Sequence, residues 1–287
     1  MLAQGHMAIL LLLIFLLPCF VLGEVPNITT VVNAAGPPSS TISSNTWVAL
    51  FGTGLAPDTR PWNNSDFVNG QMPTSLAGVS VNLFDPGSGA TVKAFISFVS
   101  PTQVNILTPF NLSNSCCLIQ IQVPFEGQTA VNCQLANTNL AYSECGYGQV
   151  VPASPEFFLW PGTSYIVAEH ANGSLIGPIG LGPGSTPAKP GETVVLYANG
   201  LGAVSGNIVS GSDVQFAALA VLPQVYVGGS PVTVNFAGVI LPGLYQLNIV
   251  IPADTPDGDW TVDISIPTNN PLEFWMSADP AVITIVK

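Results

Sequence analysis

Few residues in this 287-residue chain are of types that do chemistry, and their spacing limits what they can do. Histidine occurs twice, at His6 and His170. His6 lies in an N-terminal apolar leader, so a Ser-His-Asp relay would have to use His170. That residue sits in Glu169-His170-Ala171-Asn172-Gly173-Ser174. Asn-Gly is a strong hairpin signal, so His170 reads as a solvated turn residue. No Gly-x-Ser-x-Gly elbow presents a serine, and one imidazole cannot build a histidine-rich metal centre. Asp254, Asp257 and Asp259 form a weak candidate calcium loop around Asp257-Gly258-Asp259, with Asp263 close by. The simpler expectation is a polar turn between Pro252 and a strand starting at Trp260. Nothing singles out a glycosidase-type carboxylate pair. The glycine-rich stretch 177–191 lacks the Gly-Lys-Ser/Thr ending of a phosphate loop and reads as a linker or long loop feeding the second half. No cofactor is expected.

Cysteine chemistry points outside the cell. Cys19 belongs to the leader, and the other four, Cys116, Cys117, Cys133 and Cys145, fall in one short window. An even number in an exported chain predicts two disulfides. Neighbours on a strand face opposite ways, so Cys116 and Cys117 are expected to pair with Cys133 and Cys145, in either order. A four-thiolate zinc site lacks the Cys-x-x-Cys knuckles. Four Asn-x-Ser/Thr sequons, at Asn27, Asn63, Asn111 and Asn172, are glycosylation candidates.

Charge excludes two classes of partner. Four basic residues, Arg60, Lys93, Lys189 and Lys287, stand against sixteen acidic ones, for a net charge of -12. Nucleic-acid affinity comes mainly from phosphate neutralisation by Lys and Arg, which this chain scarcely offers. A polybasic membrane-surface patch is excluded on the same ground. Residues 1–23 read as a signal peptide: the segment 7–23 is apolar, and Val21-Leu22-Gly23 precedes Glu24 as a cleavage site. No later run is long enough to span a bilayer as a helix, so no membrane span is expected after cleavage.

The elements that must position these residues are strands. Hydrophobic residues make up 48% of the chain and charged ones 7%, with 28 Gly and 26 Pro cutting the apolar runs short. The two halves also echo each other. Val48-Ala49-Leu50-Phe51-Gly52-Thr53-Gly54-Leu55 answers Val194-Val195-Leu196-Tyr197-Ala198-Asn199-Gly200-Leu201. Gln103-Val104-Asn105-Ile106-Leu107 answers Gln246-Leu247-Asn248-Ile249-Val250, and Ile119-Gln120-Ile121-Gln122-Val123 answers Val262-Asp263-Ile264-Ser265-Ile266. Gly78-Val79-Ser80-Val81 is matched with 229–234 as a turn-to-strand segment. Period-two alternation in these segments predicts sheets with one buried face. Two sheets closing on each other in each half predict an all-β fold of two tandem immunoglobulin-like β-sandwiches, over residues 24–152 and 153–287, with the disulfides in the first. Gly54 and Gly200 are expected at positive φ. Gln103, Asn105, Gln246 and Asn248 are expected to satisfy backbone groups at bends. Trp62, Trp160 and Trp275 flank Pro or Asn; they are core residues or stacking surfaces.

The ordered motifs Val31-Val32-Asn33-Ala34-Ala35, Phe51-Gly52-Thr53-Gly54-Leu55-Ala56-Pro57, Val99-Ser100-Pro101-Thr102-Gln103-Val104-Asn105, Leu196-Tyr197-Ala198-Asn199-Gly200-Leu201-Gly202 and Gly243-Leu244-Tyr245-Gln246-Leu247-Asn248 carry a family likeness. Together they resemble the uncharacterised C-terminal domain family first noted in Solibacter-type secreted proteins, related in style to IPT/TIG immunoglobulin-like modules. The resemblance covers residues 28–287. It implies an exported chain and carries no catalytic residue set. Two departures from the family are expected: the lack of its large preceding partner region, and four additional cysteines with an insertion at 133–149. The expectation is a secreted or cell-surface module for structure, adhesion or binding, not an enzyme. Its partner would be an extracellular protein or glycan, or a second copy of itself. The alternatives are a self-assembling subunit of an extracellular filament or coat, with 24–44 as an exchanged strand, and a secreted carbohydrate-active protein.

Overall fold

The computed structural model describes residues 26–35, 41–85, 88–110, 112, 117–123, 146–268, 274–277 and 281–287. The leader 1–23, Cys116, Cys133, Cys145 and Asn111 lie outside the described residues, and of Cys117 only the backbone is described. Within them the chain is all-β, with one 3₁₀ turn at Asn64–Asp66. No described helix is long and apolar enough to cross a membrane.

Among the described residues, ten strands build each half. The first has β1 Asn27–Asn33, β2 Thr41–Ile42, β3 Trp47–Thr53, β4 Arg60–Pro61, β5 Ser80–Phe84, β6 Thr91–Lys93, β7 Phe95–Val99, β8 Gln103–Leu107, β9 Cys117–Gln122 and β10 Gly146–Val150. The second has β11 Glu156–Phe157, β12 Ala168–His170, β13 Thr193–Asn199, β14 Ala217–Ala218, β15 Gln224–Val227, β16 Ser230–Leu241, β17 Leu244–Val250, β18 Gly258–Pro267, β19 Phe274–Met276 and β20 Val282–Ile285. Two hydrophobic clusters form, one between Ile28 and Val150 and the other between Ala153 and Ile285. Alternation makes them: along β17, Tyr245, Leu247 and Ile249 point inward while their neighbours are half exposed.

Strand register carries the internal repeat. Val48 lies opposite Ile106 across β3 and β8, and Val194 lies opposite Ile249 across β13 and β17. Even the irregularities recur: β7 is bulged between Ile96 and Phe98 against β8, and β16 between Val234 and Phe236 against β17. One correspondence differs from the sequence reading. The strand that pairs with β18 as β5 pairs with β9 is β15, so Ser80–Phe84 answers Gln224–Val227 and not 229–234.

The halves differ in how their sheets join. The first has two five-stranded sheets, β1-β3-β8-β7-β4 and β2-β10-β9-β5-β6. The second is one ten-stranded sheet that wraps its own core, which corrects the expectation of two separate sheets there. The cause is local. In the first half Ala94 interrupts the chain between β6 and β7, its N–H donating to Val81 O. In the second the equivalent strand, β16, runs unbroken for 12 residues and pairs with β15 at its start and β17 farther on. The N-terminal segment is also in use: β1 pairs with β3 and β2 pairs in parallel with β10. In a single chain these strands of the segment 24–44 are thus paired within their own half. The stretch 177–191 lies inside the second half, between β12 and β13, and does not link the halves.

What links them is a seam of buried amides. Asn33 at the end of β1 and Asn199 at the end of β13 are 2% and 0% exposed. Asn199 Nδ2 donates to Asn33 Oδ1 at 2.7 Å and to Trp47 O at 2.9 Å, and its Oδ1 accepts Trp47 N at 3.0 Å. Asn33 Nδ2 donates to Ser154 O at 2.8 Å. Gly54 and Gly200 adopt the expected positive φ, 63° and 72°. Gly200 has a further reason to be glycine: a Cβ there would lie 2.1 Å from Ser154 O. A second contact forms where 70–72 meets 211–213. Met72 N donates to Gly211 O at 2.8 Å and Asp213 N to Gly70 O at 2.9 Å.

Removing the Asn199 amide takes the acceptor from Trp47 N–H at a buried seam, while Trp47 O keeps Ala34 N and Asn33 Oδ1 keeps Ala35 N. Asn199→Ala is therefore expected to cost about 1–3 kcal/mol. Urea unfolding followed by tryptophan fluorescence measures it; an exposed control such as Ser205→Ala should shift little.

Candidate functional site

The seam leaves an aromatic cleft on one side. Trp47 comes from β3, and its Nε1 donates to Pro242 O at 2.9 Å, across the two halves. The hairpin joining β16 to β17 passes against that ring at Gly243, where a Cβ would lie 2.5 Å from Trp47 Cδ1. Trp62 follows β4 and is pinned by its N–H to Ser97 O at 2.9 Å. Next comes the 3₁₀ turn, capped by Asn63. Arg60 donates to Asp66 at 2.6 Å and Asp66 accepts Asn63 N at 2.7 Å, a clasp that holds the Asp66 carboxyl below its usual range. The turn delivers Phe67 onto Trp62, ring centroids 5.0 Å apart, and Trp62 meets Trp47 edge-on at 5.7 Å.

These rings line a cavity of about 360 Å³ that draws Trp47, Trp62, Phe67 and Met72 from one half and Phe158, Leu244 and Asp213 from the other. Asp213 is the one charged residue in its lining, its carboxylate lying beside Gly70. Concave apolar sites between folding units, with few polar groups, are where ligands usually bind. The loop that carries Asp213 also exposes Val209, Val214 and Phe216, at 63%, 77% and 74%. A cavity of about 440 Å³ beside Trp275, walled by Pro152, Leu201 and Ile266 among others, has no charged residue in its lining.

His170 is not the solvated turn residue that the sequence suggested. It closes β12, its side chain 12% exposed, with Nδ1 2.5 Å from Glu192 Oε1 and Nε2 2.9 Å from Thr186 Oγ1. Hydroxyl, imidazole and carboxylate stand in the order of a nucleophile relay. The backbone N–H groups at and just after Thr186 are already bonded. Thr186 N donates to Leu175 O, Pro187 has no N–H, and Ala188 N donates to Thr284 O. What the trio does in the fold is staple β12 to the loop before β13. Next to it, Tyr197 donates to Glu169 at 3.0 Å.

The other sequence candidates disperse. Asp259 accepts Tyr165 Oη at 2.8 Å and Thr284 Oγ1 at 2.6 Å, while Asp257 accepts Lys287 N at 2.9 Å. Asp254, Asp257 and Asp259 therefore do not converge on a calcium site, and no group of three potential ligands occurs among the described residues. Gln103 and Asn105 do not serve bends. Gln103 Nε2 donates to Asn105 Oδ1 at 2.8 Å along one strand face, and Gln246 repeats the bond to Asn248 at 2.7 Å. Asn63 and Asn172 are exposed, each accepting the backbone N–H and the hydroxyl of the serine two residues on; Asn27 is half-buried in β1. Trp62 lines the seam cavity, Trp275 the second cavity, and Trp160 packs against Gly182. Sequence reading missed Trp47, Phe67 and Asp213 as cavity walls, and Thr186 and Glu192 as the partners of His170.

No protein-family sequence model matches the chain, and neither does any curated protein. Among the solved structures it is similar to are the following. The full extracellular region of Plexin A4 matches at 11% identity and TM-score 0.24, over 90% of this chain and 18% of that one. A tetra-tandem repeat from the extending region of a large adhesion protein matches at 16% and 0.24, over 90% and 48%. The Bacteroides ovatus mixed-linkage glucan utilization locus protein SGBP-B, in complex with a mixed-linkage heptasaccharide, matches at 13% and 0.23, over 92% and 48%. The chain thus spans less than half the length of each. Likenesses this distant assign no function.

Two tyrosines give a pH signature. Burial, helped by the hydrogen bond to Glu169, pushes the Tyr197 phenol up to about 12. Complete burial pushes Tyr245 up too, its hydroxyl donating to Gly202 O at 3.2 Å. The unfolded phenols ionise first, near 10. Their contribution is therefore whole below pH 10 and is lost as pH rises toward 12. Denaturant unfolding across this range should show stability falling, with a shallower fall in Tyr197→Phe.

Proposed function

We propose that this chain is a secreted or cell-surface, non-catalytic binding module, made of two immunoglobulin-like units held in one fixed orientation. This agrees with what its resemblance to the Solibacter-type family implies. The observation that carries the reading is the seam cavity. It is concave, walled by aromatic rings from both halves, and contains no nucleophile and no acid–base pair. Such walls supply contact area and shape, which is the chemistry of binding and not of bond cleavage. The amide seam supports it in turn, because walls contributed by two halves recognise a ligand only if the halves do not drift.

The low charge and the exposed apolar loop around Phe216 fit a surface that meets a partner. Disulfides among Cys116, Cys117, Cys133 and Cys145, and glycans at Asn27, Asn63, Asn111 or Asn172, belong to the same reading, as fittings of an extracellular product.

Titration of the purified protein against a panel of glycans, peptides and small organic ligands, read by tryptophan fluorescence, tests it. At least one saturable response is expected. Trp62→Ala should weaken that response about tenfold, with no ligand turned over. Turnover that disappears in His170→Ala, or binding indifferent to Trp62→Ala, would contradict the proposal.

A further inference from the structure

The seam cavity has a chemical preference that its shape alone does not state. Its wall has four aromatic residues, of which Trp47, Trp62 and Phe67 are in edge and tilted contact, with the buried Met72, aliphatic residues of the facing hairpin, and one acidic residue, Asp213. Trp47 Nε1 is already committed to Pro242 O. A sugar would bring a belt of hydroxyls into this space and find Asp213 almost alone to receive them, so most of its hydroxyls would lose water without compensation. A purely apolar ligand would bury the Asp213 carboxylate beside it unpaired, again at a cost.

A cation with a greasy surface meets neither penalty. Aromatic faces attract cations through their quadrupole, most strongly those of tryptophan. Asp213 makes no side-chain hydrogen bond or ion pair among the described residues, so no neighbouring cation neutralises its charge beside the cavity. The charge of the chain works in the same direction. It carries -12 overall, and Arg60, the cation that sits two residues before Trp62, is neutralised by Asp66. A compact, strongly hydrated ion such as potassium gains little here, because the rings cannot replace its water. An alkylated ammonium, already poorly hydrated, loses little on entry.

We propose that the cavity between Trp47, Trp62, Phe67 and Asp213 is a binding site for a small quaternary or methylated ammonium group. This deepens the binding-module reading and rests on it.

The test uses choline, its neutral isostere with carbon in place of nitrogen, and potassium chloride at matched ionic strength, each titrated by isothermal calorimetry. Choline is expected to bind, the isostere about tenfold more weakly or not at all, and potassium not to compete. Asp213 is exposed, so Asp213→Asn should fold normally; it should weaken choline roughly fivefold and leave the isostere unchanged. Trp62→Phe, which keeps an apolar ring, should weaken choline less than Trp62→Ala. Equal binding of choline and isostere, or choline binding untouched by Asp213→Asn, would overturn the ammonium assignment. A Trp62-dependent response to a glycan or peptide with none to choline would overturn it too, while leaving the binding-module reading in place.

Discussion

The buried amide pair of Asn33 and Asn199 is the constraint on which the rest of the molecule turns. Each closes a strand of its own half, and between them they hold the backbone of Trp47 and of Ser154. A primary amide presents two donors and an acceptor with two lone pairs. Here those groups satisfy one another and the strand ends that would otherwise go unpaired out of water. The pair is thus a requirement as much as a bond: if either half rotates away, several buried polar groups lose their partners together, at about 1–3 kcal/mol each. A hydrophobic interface of the same area would tolerate sliding. This one has a single register.

The position of Trp47 follows from that register. Its backbone is clamped by Asn199, and its ring is clamped by Pro242 O and by the close pass of Gly243. Trp62 leans on Trp47, and Phe67 leans on Trp62. The cleft is built outward from the seam. Asp213 reaches it through the second contact, where its N–H meets Gly70 O. Preorganisation of this kind lowers the entropy lost on binding, which makes a shallow aromatic site with one charge a usable one.

Much of this architecture could be read before any coordinates. Period-two runs gave the strands, and the match between Gln103–Leu107 and Gln246–Val250 anticipated a register that the two halves share. What could not be read depends on single residues or on long separations. The break between the first half's two sheets falls at Ala94, yet nothing in its type marks it as a break. Asn33 and Asn199 stand 166 residues apart; the only clue was a polar amide closing an otherwise apolar strand in two familiar motifs. His170 looked like a turn residue because its partners, Glu192 and Thr186, lie beyond a glycine-rich loop whose path leaves no pattern. Asp213 sits in an irregular loop, where periodicity has nothing to say.

If the amide seam locks the halves, they must melt as one. Differential scanning calorimetry of the intact protein asks this directly. A single transition whose calorimetric and van't Hoff enthalpies agree is the expected result. Two separable transitions, each with the enthalpy of one half, would show that the seam does not couple them, and the rigid cleft would lose its physical basis.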